Sequence, residues 1–323
     1  MKKILLIDFS NFYDYPMGGV LTFSKHLISA FDEDEIFLIG ITTEKQDPVG
    51  RWFKKNINGK IYEYFALARI NKKTTKHIIP DRLTCFFLIK YYKKKLLANY
   101  FQNVIIQRQE ILPAIKNFGY ENICYLFPGV TNPMNISKYS FGIYFSKIFD
   151  KLFFHSFKNV RTILASADDE AITAMVERSK GKLNIRSVMK FPTRIDTQVF
   201  KIVNKAETRK ILNIPIPKTV VITTGRLTKL KGWKLMIDSF YIFQKSVPES
   251  LFYIVGDGED FQKIEEYALV KELSEKIILT GNKTSAEIAL YLNAGNLFVM
   301  GSFKEGWPTS LVEAVACGIP ACV

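Results

Sequence analysis

Two carboxylates, Glu305 and Glu313, stand eight positions apart in FKEGWPTSLVEAVACGIP, residues 303–320. Glycine and proline place Glu305 on a loop, and the apolar spacing from Ser310 onward places Glu313 about one turn into a helix. Carboxylates accept paired hydrogen bonds from vicinal hydroxyls, and the amides of Thr309, Ser310 and Leu311 at that helix start suit a phosphate. Sugar hydroxyls, a ribose and a diphosphate can thus be held by one element. A capping box between Ser310 and Glu313 also fits their spacing, but it leaves Glu305 and the glycine unexplained.

A second constellation lies upstream in GRLTKLKGW, where Gly225 closes a strand and Arg226 and Lys231 follow. Two cations five positions apart beside a strand's carboxyl end can clamp a diphosphate, the arginine by planar hydrogen bonding and the lysine as a compact charge. A solvated basic loop is the plainer alternative. Gly256 and Gly258 in VGDGED, and the TGN at 280–282, end further strands with residues that let a ligand approach the backbone. Near the amino terminus, Gly18 and Gly19 sit between a strand and a helix, either as a phosphate cradle or as an ordinary turn.

Apolar β-rich runs alternate with helical stretches, which predicts an α/β chain with parallel sheets. Strands are expected at 3–7, 36–41, 61–67, 104–106, 123–127, 162–165, 187–189, 220–224, 252–255, 277–279 and 297–300. Helices are expected at 20–31, 85–101, 144–157, 170–178, 233–246, 261–269, 286–293 and 310–317. Of the net charge of +14, all belongs to residues 1–205, because residues 206–323 carry 13 basic and 13 acidic side chains. That charge step, with Ile214-Pro215-Ile216-Pro217, sets the expected domains at 1–205 and 206–323, two Rossmann-like units facing across a cleft. The chain stops as Gly318-Ile319-Pro320 opens another buried strand, so the second domain reads as truncated.

Residues 1–8 lack the apolar run of a signal peptide, and no stretch reaches the roughly 18 apolar residues of a membrane span. Cys85, Cys124, Cys317 and Cys322 show no CxxC pairing, so neither disulfide nor zinc is expected in what reads as a cytoplasmic protein. Asp32-Glu33-Asp34 reads as a solvated loop, and His26, His77 and His155 as structural or surface residues. Between Arg51 and Lys95 there are 13 basic residues against Glu63 and Asp81. Within it, CFFLIKYYKKKLLANYF at 85–101 is either an amphipathic helix lying on an anionic membrane or a half-buried helix with a lysine face. No nucleic-acid reader motif accompanies the charge.

Arg226 with Lys231, and Glu305 with Glu313 inside EGWPTSLVEAVACGIP, closely resemble the retaining glycosyltransferases of family 4, which have the GT-B fold. Gly18-Gly19, the stretch 165–168 and PTRIDTQVF at 192–200 extend the resemblance along the chain. It implies transfer of a sugar, with retention, from a nucleoside-diphosphate donor to a glycan or lipid-linked saccharide, as in cell-surface polysaccharide synthesis. Arg226 and Lys231 would stabilise the leaving diphosphate, Glu305 would contact the donor sugar, and Glu313 would hold the ribose. No metal is then required in principle, and no cofactor beyond the donor is expected. The family's first-domain histidine is replaced by Pro128-Gly129, with Thr131 or Asn132 as substitutes. A silent nucleotide- or partner-binding chain, and a nucleotide-sugar epimerase or hydrolase, are the alternatives.

Overall fold

The computed structural model describes residues 3–16, 19–72, 79–127, 132–135, 140–166, 169–191, 194–303, 305 and 308–323. The chain divides into two compact units, Met1–Pro192 and Thr193–Val323. Residues 194–204, ahead of the boundary expected from the charge step, pack on the second unit. There Phe200 is buried in the core and Asn293 donates to the Lys201 carbonyl at 3.0 Å.

The first unit's strands are β1 (Ile4–Ile7), β2 (Ile36–Thr42), β3 (Trp52–Ile57), β4 (Lys60–Arg69), β5 (Asn103–Ile106), β6 (Asn122–Phe127), β7 (Val160–Ala165) and β8 (Val188–Lys190). They form one sheet in the order β3-β4-β2-β1-β5-β6-β7-β8, parallel throughout except for the β3–β4 pair. β2 is buried along its whole length, which is why it reads as an unbroken apolar run rather than an alternating one. Helix α1 (Gly19–Ser29) covers one face, where Ile28 meets Leu6, Leu38 and Tyr64. The other face carries α2 (Asp81–Tyr91), α3 (Lys93–Leu96), α4 (Ile111–Ile115), α5 (Ser146–His155) and α6 (Asp169–Arg178). Ile89, Leu112, Phe153 and Met175 join Leu5 and Ile7 in that core.

The sequence reading did not place β3, whose turn to β4 is Asn58-Gly59 with φ of 53° and 86°. Such a two-residue hairpin needs left-handed backbone at both positions, which Asn-Gly supplies. The expected helix at 85–101 is instead two helices broken at Tyr92. The Tyr92 ring packs on Phe65 and fills the space beside Gly50. Lys93 donates to the Asn117 carbonyl at 2.8 Å and Lys95 to that of Gly50 at 2.9 Å. Local helix propensity loses to these distant contacts, and two of the three adjacent lysines are tied down instead of forming a free face.

The second unit holds α7 (Lys205–Ile211), β9 (Thr219–Thr224), α8 (Trp233–Ser246), β10 (Ser250–Val255), α9 (Phe261–Val270), β11 (Ile277–Leu279), α10 (Ser285–Ala294), β12 (Leu297–Val299), α11 (Thr309–Ala316) and β13 (Ala321–Cys322). Its sheet is parallel, in the order β11-β10-β9-β12-β13. Along β9 the side chains alternate, with Val220 and Ile222 in the core under α10 and α11 and Val221 in the core under α8 and α9. The strand expected after Pro320 forms, but Ala321 and Cys322 are exposed, because β13 lies at the sheet edge with β12 as its one neighbour. The four cysteines are free thiols, with Cys85 and Cys317 buried, Cys124 half-buried and Cys322 exposed.

Candidate functional site

The second sheet changes winding direction between β9 and β12. In open parallel sheets, that switch point leaves a crevice beyond the strands' carboxyl ends. Here Thr224, Gly225, Arg226, Lys231, Ser302 and Ser310 line it. Each arrives from a different place: β9 delivers Thr224 to Arg226, the turn into α8 delivers Lys231, β12 leads to Ser302, and α11 begins with Thr309 and Ser310.

Close backbone approach builds this edge. Gly232, at φ 62°, passes so near Gly301 that a Cβ would lie 1.8 Å from the Gly301 carbonyl oxygen. Gly256 and Gly258 serve the same end, since a Cβ at either would fall 1.9 Å from the Gly225 oxygen or 2.3 Å from the Leu227 oxygen. Hydrogen bonds then join the loops, with Leu227 N donating to the Asp257 carbonyl at 3.0 Å and Asp260 N to the Leu227 carbonyl at 3.1 Å. Gly256 and Gly258 therefore bring protein backbone against protein backbone. Gly225, at φ 141°, faces open space instead.

Lys231 and Glu305 form an ion pair, with side chains 36% and 22% exposed. Phe303 N donates to the Leu230 carbonyl at 3.1 Å, holding the two loops that carry the pair side by side. Arg226 stands freer, 3.9 Å from Glu259, and both of those side chains are more than half exposed. In α11 the N-cap is Pro308 and no side chain among the described residues caps the helix, so Ser310 and Glu313 make no capping box. The Leu311 and Val312 amides donate to the Pro308 carbonyl at 3.1 and 3.2 Å. The Thr309 and Ser310 amides at the positive end of the helix have no such partner among the described residues. Burial pushes the Glu313 carboxyl up to about 7 from its ordinary 4.5.

Sequence reasoning missed Thr224 and Ser302. Their hydroxyls are buried without a hydrogen-bond partner among the described residues, which marks them for a ligand or water. Gly18, His77, Pro128-Gly129 and Thr131 lie outside the described residues, and Gly19 opens α1 in the first unit. Asn132 is buried and already engaged, because it donates to the Ser146 carbonyl at 3.0 Å and accepts from Met134 N at 2.8 Å.

The α/β fold of parallel sheets matches that of GT-B glycosyltransferases of known structure. Residues 204–323 match the family described as glycosyl transferases group 1. Over 112 residues it is 32% identical to alpha-monoglucosyldiacylglycerol synthase of Acholeplasma laidlawii, an overlap of 35% of this chain and 28% of the synthase. That aligned stretch spans little more than a quarter of the relative's length. An uncharacterized glycosyltransferase of Methanocaldococcus jannaschii is 22% identical over 337 residues, 98% of this chain and 80% of that one. The structure of Anabaena HepE in complex with UDP-glucose superposes with a TM-score of 0.69 at 15% identity, covering 99% of this chain and 80% of that one.

Proposed function

We propose that this chain transfers a sugar from a nucleoside-diphosphate donor, with retention at the anomeric carbon, to a glycan or lipid-linked saccharide of the cell surface. The observation that carries the reading is the convergence of Arg226, Lys231, Glu305 and the open end of α11 on one crevice. The donor's diphosphate would lie against the Thr309 and Ser310 amides, with the buried Thr224 and Ser302 hydroxyls as further donors. Glu313 would accept from the two ribose hydroxyls, and Glu305 would meet the sugar.

Chemistry follows from charge. The bond from the anomeric carbon to the diphosphate oxygen breaks with its electron pair leaving on the diphosphate. A bond from the acceptor oxygen forms on the same face of the sugar, and the acceptor's proton passes to the departing diphosphate. Arg226 and Lys231 neutralise the charge that develops there, so the proposed reaction needs no added metal. The Lys231–Glu305 pair contributes no more than about 1 kcal/mol at this exposure. A diphosphate can therefore draw Lys231 away from Glu305 and leave the carboxylate for the sugar. HepE's complex with UDP-glucose supports the donor class. A relative that synthesises a glucosyldiacylglycerol supports an acceptor held at a membrane, which the chain would reach by peripheral attachment through residues 85–101.

Thermal melting with UDP, GDP, ADP and their sugar conjugates tests this. A ligand that binds only the folded state at a hundredfold excess over its Kd adds about 2.7 kcal/mol, a shift of several degrees. One nucleotide family should raise the midpoint. A cooperative melt that none of them moves would remove the donor-binding reading. Binding with no turnover of donor would favour a silent nucleotide-binding chain.

A further inference from the structure

We infer that the first unit binds an anionic lipid bilayer through the outer faces of two helices, α2 and α5. This rests on the peripheral attachment proposed above and assigns its surface, which the run Lys93–Lys95 alone does not provide. On α2, Leu83, Phe87 and Tyr91 follow one another at four-residue intervals and are 41%, 58% and 79% exposed. On α5 and the 3-10 turn leading into it, Tyr144, Ile148 and Leu152 repeat the interval at 82%, 57% and 46%. Residues four apart lie on one helix face, so each helix presents an apolar stripe outward while its opposite side is in the core through Cys85 and Ile89 or through Phe153 and Phe154.

The two stripes share a layer. Both helices pack beside α4, whose residues Ile111 to Ile115 are all buried, and all three cover the same face of the sheet. A surface helix normally turns polar side chains outward. Exposed apolar stripes rimmed by polar residues mark a binding surface. The surrounding charge selects the occupant. Lys90, Lys94, Lys147 and Lys151 are exposed and have no carboxylate partner among the described residues. Among the acids nearby, Glu110 is engaged by Arg82 at 3.2 Å and Asp150 by Arg178 at 3.2 Å. Apolar side chains ringed by lysines match an anionic bilayer, where the rings and aliphatic groups enter the headgroup boundary and the ammonium groups stay at the phosphates. A second copy of the same face would set lysine against lysine.

Co-sedimentation of the full chain with phosphatidylcholine vesicles, with and without phosphatidylglycerol, tests the inference. The wild type should sediment with the anionic vesicles. Replacing Tyr144, Ile148 and Leu152 together by Ser, or Leu83, Phe87 and Tyr91 together by Ser, should each lower partitioning about tenfold or more. Lys147→Gln with Lys151→Gln should weaken binding to the anionic vesicles. Tyr144→Trp keeps an aromatic ring in place, and bromine-labelled acyl chains should quench its fluorescence beyond that of the wild type. No sedimentation of the wild type, equal sedimentation of the triple variants, or no added quenching overturns the assignment. So does a wild-type dimer that both triple variants convert to monomer. Nucleotide stabilisation should be the same in all these variants, so failure here leaves the donor reading standing and failure there leaves this one.

Discussion

Lys231 is paired with Glu305, and that pairing predicts how its loss will register. If the ammonium's work is to meet charge that appears as the diphosphate departs, Lys231→Ala lowers kcat more than it weakens donor binding. Removal of one preorganised group of this kind costs about 10²–10³ in kcat. Equal loss in kcat and donor affinity would make it a ground-state ligand instead. Glu313 makes a different prediction, because burial pushes its carboxyl up to about 7. An acid whose folded pKa is raised contributes stability that is fully present below its unfolded value and lost as pH climbs through the folded one. Wild type should therefore lose stability relative to Glu313→Gln between pH 4.5 and about 7, with little further change above. Ribose hydroxyls need the ionised form, so nucleotide affinity should rise across the same interval, with release of a proton. Affinity in the Gln variant should be weaker and flat with pH, and a slope that survives in it would assign the proton elsewhere.

Helix α8 reaches the crevice only because Gly232 and Gly301 let two backbones touch. In Gly232→Ala the added methyl meets the Gly301 carbonyl at 1.8 Å and the residue keeps a left-handed φ of 62°. A loss of about 1–3 kcal/mol follows, read as a fall of several degrees in melting temperature. Gly225→Ala meets strain alone, since nothing among the described residues lies within 4 Å, and should cost less. Much at this scale was legible in the sequence. The apolar runs marked both parallel sheets, and GRLTKLKGW and FKEGWPTSLVE placed Arg226, Lys231, Glu305 and Glu313 correctly on their loops and helix. Asn58-Gly59 marks the β3–β4 hairpin and Asn204 with Glu207 marks α7, capped by Asn204 accepting from Ala206 N and Glu207 N, yet both signals are too short to stand out from the surrounding chain. Other features have no local signal at all. That Thr224 and Ser302 bury idle hydroxyls, that Gly256 and Gly258 pack on a neighbouring loop, and that Tyr92 breaks a helix all depend on partners distant in sequence.

Across the whole molecule the excess of +14 resides in residues 1–205, a net figure from which paired charges are already subtracted. Lys55 is buried against Glu44 and Asp47, and Lys72 pairs with Asp14 at 2.5 Å. The field of that net charge reaches only about 10 Å into solvent at 0.1 M salt. Vesicle binding should weaken as salt rises and still persist, because the stripes of α2 and α5 are indifferent to ionic strength; complete release at moderate salt would leave the lysines alone responsible. Attachment to a surface also concentrates the chain, and there the sheet borders take on a second meaning. β8 and β11 have three residues each and β13 two, while the longer β3 carries Lys54 outward and is bent back by its hairpin. Borders that are short or charged offer a neighbour little to pair with. Molecules crowded side by side on a bilayer would then remain separate, free to diffuse in two dimensions instead of zipping into aggregates.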